Sequence, residues 1–175
     1  MRDAIKSVAV GLAGVVLLLF PGAVRAATQP KAYFLADSGR SLVPVTVGGT
    51  LRTPTAALAA LAAGPNAAQR ANGYESPFPS GTRAGGVNAA GSVATVALSG
   101  SPLLKLSTIP RLRLIASVTY TLTSFPAIRT VRFTLQGRPW GVYDHSGRVV
   151  RDYRRGTLAH PWLTACAPGD GCFTP

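Results

Sequence analysis

The stretch TPTAALAALAAGP, residues 53–65, fixes one element of this chain at both ends and limits what can be built around it. Thr53 stands where a helix N-cap belongs, Pro54 at the first helical position, and Gly64-Pro65 where a helix must stop. Leu58 and Leu61 lie three apart and form one apolar stripe with Ala57 and Ala60; so many alanines imply close packing against a sheet. Beyond Pro65 the chain runs through Gly73-Tyr74 into a Pro-Ser-Gly-Thr turn at residues 79–82. This long polar connection is punctuated by turn formers, and its role is architectural.

Strand signals surround the helix. KAYFLAD (31–37) followed by SGRSLVPVTVGG reads as two short strands about a Ser38-Gly39 turn, and Pro44 makes the second an edge or bulged strand. RAGGVNAAGSVATVALSG (83–100) reads as a second hairpin turning at Ala90-Gly91. In TVRFTLQG (130–137) Val131, Phe133 and Leu135 point to one face and Arg132, Thr134 and Gln136 to the other, before Gly137-Arg138-Pro139 ends the strand. A weaker hairpin is expected around His145-Ser146-Gly147. Residues 107–124 are ambiguous. Leu112, Leu114, Ala116, Val118, Tyr120 and Leu122 alternate like a strand, and the β-branched content agrees. A helix capped by Thr108, with Pro110 in its first turn, would carry Ile109, Leu112, Ile115, Ala116, Thr119 and Leu122 as a stripe, though propensity alone chooses the strand.

The N-terminus reads as a secretory leader over residues 1–26. Arg2 and Lys6 precede an apolar run from Val8 to Phe20, Pro21-Gly22 breaks it, and Val24-Arg25-Ala26 suits cleavage after Ala26. The alternative is a retained anchor, since no residue from Ser7 to Val24 is charged. Export makes a local disulfide between Cys166 and Cys172 the default reading of CAPGDGC, tying down the tail. His145 and His160 do not complete a zinc site at usable spacing, and neither metal nor cofactor is expected.

The chain carries a formal charge of +12 with 14% charged residues, and its cations are mostly Arg. Such a balance suits acidic partners such as wall polymers, anionic lipid or nucleic acid; the plain alternative is a compositional preference for Arg that serves solubility. Nucleic acid loses ground because the chain reads as exported and contains no recognised nucleic-acid-binding motif.

Catalysis needs proton-transfer groups or nucleophiles held together. The residues after the leader offer only Asp37, Glu75, Asp144, Asp152 and Asp170 as side-chain carboxylates, and Asp37 and Asp170 sit in turn-forming sequence. Asp144-His145 resembles half of a catalytic pair but also an ordinary turn. No Gly-x-Ser-x-Gly or His-Glu-x-x-His occurs. No catalytic residue is therefore assigned, and an enzyme is not expected. Binding is better supported: Arg129, Arg132 and Arg138 flank the clearest strand, and Arg148, Arg151, Arg154 and Arg155 crowd the tail. Trp140, Tyr143 and Trp162 lie among them. Rings beside cations suit sugar or anionic-polymer contacts, against which stands simple packing of Trp140 and Trp162 onto the domain.

Taken in order, AALAALAAGP, YESPFPSGTR, VATVALSG and ASVTYTLTSFPAIRTVRFTLQGRP resemble the GerMN domain, the sporulation and spore germination domain family, over about residues 31–140. The resemblance rests on Leu61 to Pro65, Pro79 to Thr82, Val93 to Leu98, Tyr120 to Pro126 with Ile128, Val131 and Phe133, and Gly137 to Pro139. It implies a single compact α+β domain, a small mixed or antiparallel sheet with two helices on one face, similar to ring-building motifs. It also implies that 107–124 is helical. Family members are extracytoplasmic, often lipoproteins or membrane-anchored, and carry no catalytic residues that could be transferred here. The chain departs from the pattern in having one copy of the domain, no lipobox cysteine, and an unmatched C-terminal HPWLTACAPGDGCFTP. The expected organisation is thus a leader (1–26), a GerMN-like domain (27–140) and a C-terminal extension (141–175). The expected role is an exported, non-catalytic envelope module that binds a protein partner or itself; the alternative is binding of an anionic wall polymer through an Arg/Trp surface. A membrane enters only if the N-terminal segment is retained.

Overall fold

The computed structural model describes residues 29–46, 52–144 and 146–158, and the backbone of residues 164–165. The leader, Cys166, Cys172, His145, His160 and Trp162 lie outside the described residues, and so do the expectations that rest on them.

Strands β1 (Ala32–Ala36) and β2 (Ser41–Val45) form the expected antiparallel hairpin. Its turn is left-handed at Asp37, Ser38 and Gly39. The backbone of a short strand β7 (Thr164–Ala165) pairs in parallel with Ser41 and Leu42, so Pro44 lies on the stretch of β2 that β7 does not reach. Helix α1 (Pro54–Ala63) starts as its sequence requires: Thr53 Oγ1 accepts from the Ala56 N–H at 3.1 Å. It ends at Gly64, whose φ of 82° a side chain would strain. Ala57, Leu58 and Leu61 are its buried face. A short helix α2 (Ala67–Ala71) follows, held by a reciprocal capping box between Asn66 and Gln69. The chain then returns to β1, where Glu75 and Leu35 exchange backbone hydrogen bonds of 2.8 and 3.1 Å.

Strands β3 (Arg83–Ala90) and β4 (Val93–Ser99) form the second hairpin. A single helical turn α3 (Ser101–Leu104) and helix α4 (Thr108–Leu122) then carry the chain to β5 (Thr130–Leu135). Because β5 runs parallel to β4, the connection must return the chain past the sheet, and α4 does this. A two-residue strand β6 (Arg138–Pro139) completes a mixed four-stranded sheet, ordered β3-β4-β5-β6. The α+β reading holds, with the strands divided between this sheet and the β1-β2-β7 sheet.

The helical form of 107–124, implied by the family resemblance, overturns the strand reading. Its alternation is the sum of two apolar faces. Leu112, Ile115, Ala116 and Leu122 make one, while Leu114 and Val118 add a second, so residues 114–119 are all buried. Two smaller predictions fail: Ser107 rather than Thr108 occupies the N-cap, and Ile109 is exposed rather than part of the buried stripe. Between its apolar faces α4 presents hydroxyls to β1. Thr121 Oγ1 accepts from the Tyr33 N–H at 2.9 Å, and Ser117 Oγ donates to the Tyr33 carbonyl.

One core joins both sheets, α1 and α4. Register sets its larger wall: Ala94 lies beside Val131, Val96 beside Phe133 and Leu98 beside Leu135, all buried. Beyond residue 140, Tyr153 and Leu158 join the same core, with Val142 and Val150 packed against it. The expected hairpin forms with Tyr143 opposite Val149, and Tyr153, 2% exposed, packs its ring 5.5 Å from that of Phe133. Its backbone pairs reciprocally with Val131 at 2.9 Å, and its hydroxyl accepts from the Val142 N–H at 2.9 Å. Leu158 is buried as well.

Candidate functional site

A cleft of about 520 Å³ opens where α4 ends and β5 begins. The Ser92 carbonyl accepts from the N–H groups of Arg129 and Thr130, at 2.9 and 3.1 Å, and so fixes the start of β5 beside the β3–β4 turn. Arg129, Arg154 and Arg155 line the cleft with the hydroxyl residues Ser92, Thr123 and Thr130, over Ile128 and Pro126. A second hollow, about 340 Å³, shares Thr123 and Arg155 with it and continues to Lys31, Tyr33 and Ser124. Among the described residues no carboxylate lines either hollow.

Arg155 is held most firmly. Its Nε donates to Thr123 Oγ1 at 2.9 Å and its Nη2 to the Tyr120 carbonyl at 3.0 Å, where a cation complements the C-terminal end of α4. Its guanidinium lies 5.3 Å from the Tyr33 ring and 5.1 Å from the Tyr120 ring. Burial pushes the Tyr120 phenol above its ordinary value, and the Arg155 charge opposes that shift. Arg154 donates from Nε to Thr130 Oγ1 at 3.2 Å. The Arg129 side chain is exposed and has no hydrogen-bond partner among the described residues.

The structure therefore brings together three of the seven arginines singled out from sequence. Arg132 projects opposite Phe133 as expected, but it is paired with Asp152 at 2.6 Å, both side chains about half exposed. That hydrogen bond raises the Arg132 pKa and lowers that of Asp152. Arg132, Arg151 and Trp140 border a separate hollow of about 230 Å³. Trp140 is only 9% exposed, packed edge-on to Phe133 with Arg111 5.6 Å from its ring, so the ring serves mainly the core. Arg138 and Arg148 are exposed and line none of these hollows.

Asp144 and Asp37 serve turns, as Asp152 serves its pair with Arg132. Asp144 accepts from the Ser146 hydroxyl, the Ser146 N–H and the Arg148 N–H, and these bonds lower its pKa. Asp37 accepts from Ser41 Oγ within the first hairpin. Among the described residues no group of three or more His, Cys, Asp or Glu is placed to hold a metal, and no helix is long and apolar enough to cross a membrane. Lys31, Tyr33, Tyr120 and Thr123 were not anticipated as neighbours of the site. They reach it from β1 and the end of α4, and Arg155 meets Tyr120 across 35 positions of sequence, so no local pattern marks them.

Arrangement and sequence pattern together define a small α+β domain of the sporulation and spore germination class. The chain belongs to the Germane family, described as sporulation and spore germination, which it matches over residues 31–140. Among solved structures it is similar to the first GerMN domain of the sporulation protein GerM from Bacillus subtilis. That match has 18% identity and a TM-score of 0.54, covering 73% of this chain and 97% of the other. It is also similar to the tandem GerMN domains of the same protein, at 18% identity and a TM-score of 0.55, covering 74% of this chain. The chain spans 46% of that tandem, a little under half its length. At this identity the likeness establishes the fold. A search of curated proteins finds no significant match.

Proposed function

We propose that this chain is an exported, non-catalytic interaction module of the cell envelope, acting in sporulation, germination or envelope assembly by binding a protein partner or a second copy of itself. The membership of the Germane family supports the setting. The observation that favours a binding role over a catalytic one is the chemistry of the cleft at the end of α4. Guanidinium groups and hydroxyls line it, with Pro126 and Ile128, and neither a carboxylate nor an imidazole stands among the described lining residues. Such a lining can hold an acidic group in place and offers, among the described residues, no general base with which to transform it.

The test is capture from envelope extract on immobilised residues 27–175, washed first at low and then at high salt. A defined protein, or this chain itself, retained through the high-salt wash is the expected result. Retention of nothing but salt-eluted material would refute an assembly role, because a packed interface is screened far less than surface charge.

A further inference from the structure

We propose that the cleft is a binding site for a linear polyanion carrying phosphate charges, seated along Arg129, Arg154 and Arg155 and continuing past Arg155 toward Lys31. This rests on the reading of the chain as a binding module and names a ligand for it. Among the described residues four cations line two adjoining hollows with no carboxylate in either lining; Asp152 is paired with Arg132, and its charge reaches Arg154 only as a weaker, longer-range attraction. Two guanidiniums are pre-oriented. Arg154 and Arg155 each spend Nε on a threonine hydroxyl, leaving both terminal nitrogens of Arg154 and Nη1 of Arg155 without a protein hydrogen bond among the described residues. Planar donors held this way match the oxygens of a phosphate.

The surroundings favour such a chain over an acidic peptide. A peptide strand would need free backbone donors, but the N–H groups of Arg129 and Thr130 go to Ser92 and that of Val131 goes to Tyr153. A folded partner seated in this cleft would need apolar anchors, and among the described residues the large exposed hydrophobics Leu104, Ile109 and Tyr143 line neither hollow, so a protein contact of the assembly reading falls on another face. What remains on offer is fixed charge beside the Ser92 and Thr130 hydroxyls, since those of Thr123 and Ser124 donate to the Thr119 and Thr121 carbonyls.

The experiment is calorimetric titration of the purified full-length chain with long-chain inorganic polyphosphate at low salt, beside orthophosphate and poly-L-glutamate. Two double variants lose the same charge: Arg129→Gln with Arg154→Gln inside the cleft, and Arg138→Gln with Arg148→Gln outside it. Arg155 stays intact because it also secures the fold. The cleft pair is expected to weaken polyphosphate binding by about 10-fold or more, the loss of charge-assisted contacts. The outer pair should change it by less than about 3-fold. Polyphosphate should bind more tightly than poly-L-glutamate and far more tightly than orthophosphate. Equal losses in the two variants would reduce the effect to net charge and overturn the site; tighter poly-L-glutamate would reassign the cleft to an acidic peptide. If polyphosphate fails while a protein survives the high-salt wash, this ligand falls and the assembly role stands.

Discussion

Tyr153 tests whether the family pattern, which ends at residue 140, is also where the folded unit ends. Its ring is almost wholly buried against Phe133, and its hydroxyl is the partner of the Val142 N–H. Burying a ring of this size removes about 150–250 Å² from water, an upper estimate of about 4–6 kcal/mol at about 25 cal/mol per Å². Tyr153→Ala also leaves a cavity, and the expected cost is about 3–5 kcal/mol. Tyr153→Phe keeps the ring and orphans one partly buried N–H, for about 1–2 kcal/mol. Equilibrium urea unfolding, followed by the fluorescence of Trp140 near the same ring cluster, reads both values. A cost below about 1 kcal/mol for Tyr153→Ala would refute the reasoning and make residues 141–158 a separable extension.

Gly100→Ala should destabilise by about 1–3 kcal/mol: its φ is 128°, and an added Cβ would sit 2.7 Å from the Gly81 carbonyl in the Pro-Ser-Gly-Thr turn. A thermal melt unchanged by this substitution would show that the turn does not bear on the strand end. Thr53→Ala should cost about 1 kcal/mol through the lost cap on α1, read as a lower urea midpoint with an unchanged slope. Stability should also fall in alkali. Burial raises the Tyr120 and Tyr153 pKa values in the folded chain, so above about pH 10 the unfolded chain loses its phenolic protons first and is favoured. Melting temperatures between pH 8 and pH 11.5 check this, and Tyr153→Phe should make the fall shallower.

The elements legible in sequence were those whose signals are local. Thr53, Pro54 and Gly64 bound α1 by their own backbone chemistry, and the alternation of Val131 to Gln136 needed only the pleat of one strand. Helices α2 and α3 are too short to show a stripe, although Asn66 and Gln69 stood at capping-box spacing. α4 misled because a helix buried on two faces no longer has one apolar and one polar side. Only its place between parallel strands, a long-range fact, selects the helix. The site behaved likewise. Charge density in the tail pointed to Arg154 and Arg155, but which arginines gather depends on how the tail crosses α4 and β1. Asp152, 20 positions from Arg132, decides that Arg132 is not free.

The hydroxyl clasp between α4 and β1 bears on how the chain is made. Tyr33 waits for Ser117 and Thr121, 84 and 88 positions downstream. A polypeptide emerging N-terminus first therefore presents AYFLA, buried throughout in the finished domain, long before its partner exists. An apolar, uncharged strand with open edges is a seed for wrong pairing during that interval. The hairpin to β2 gives it one early neighbour and Glu75 later pairs with Leu35 on the other side, but closure around Tyr33 is postponed until most of the domain has been synthesised.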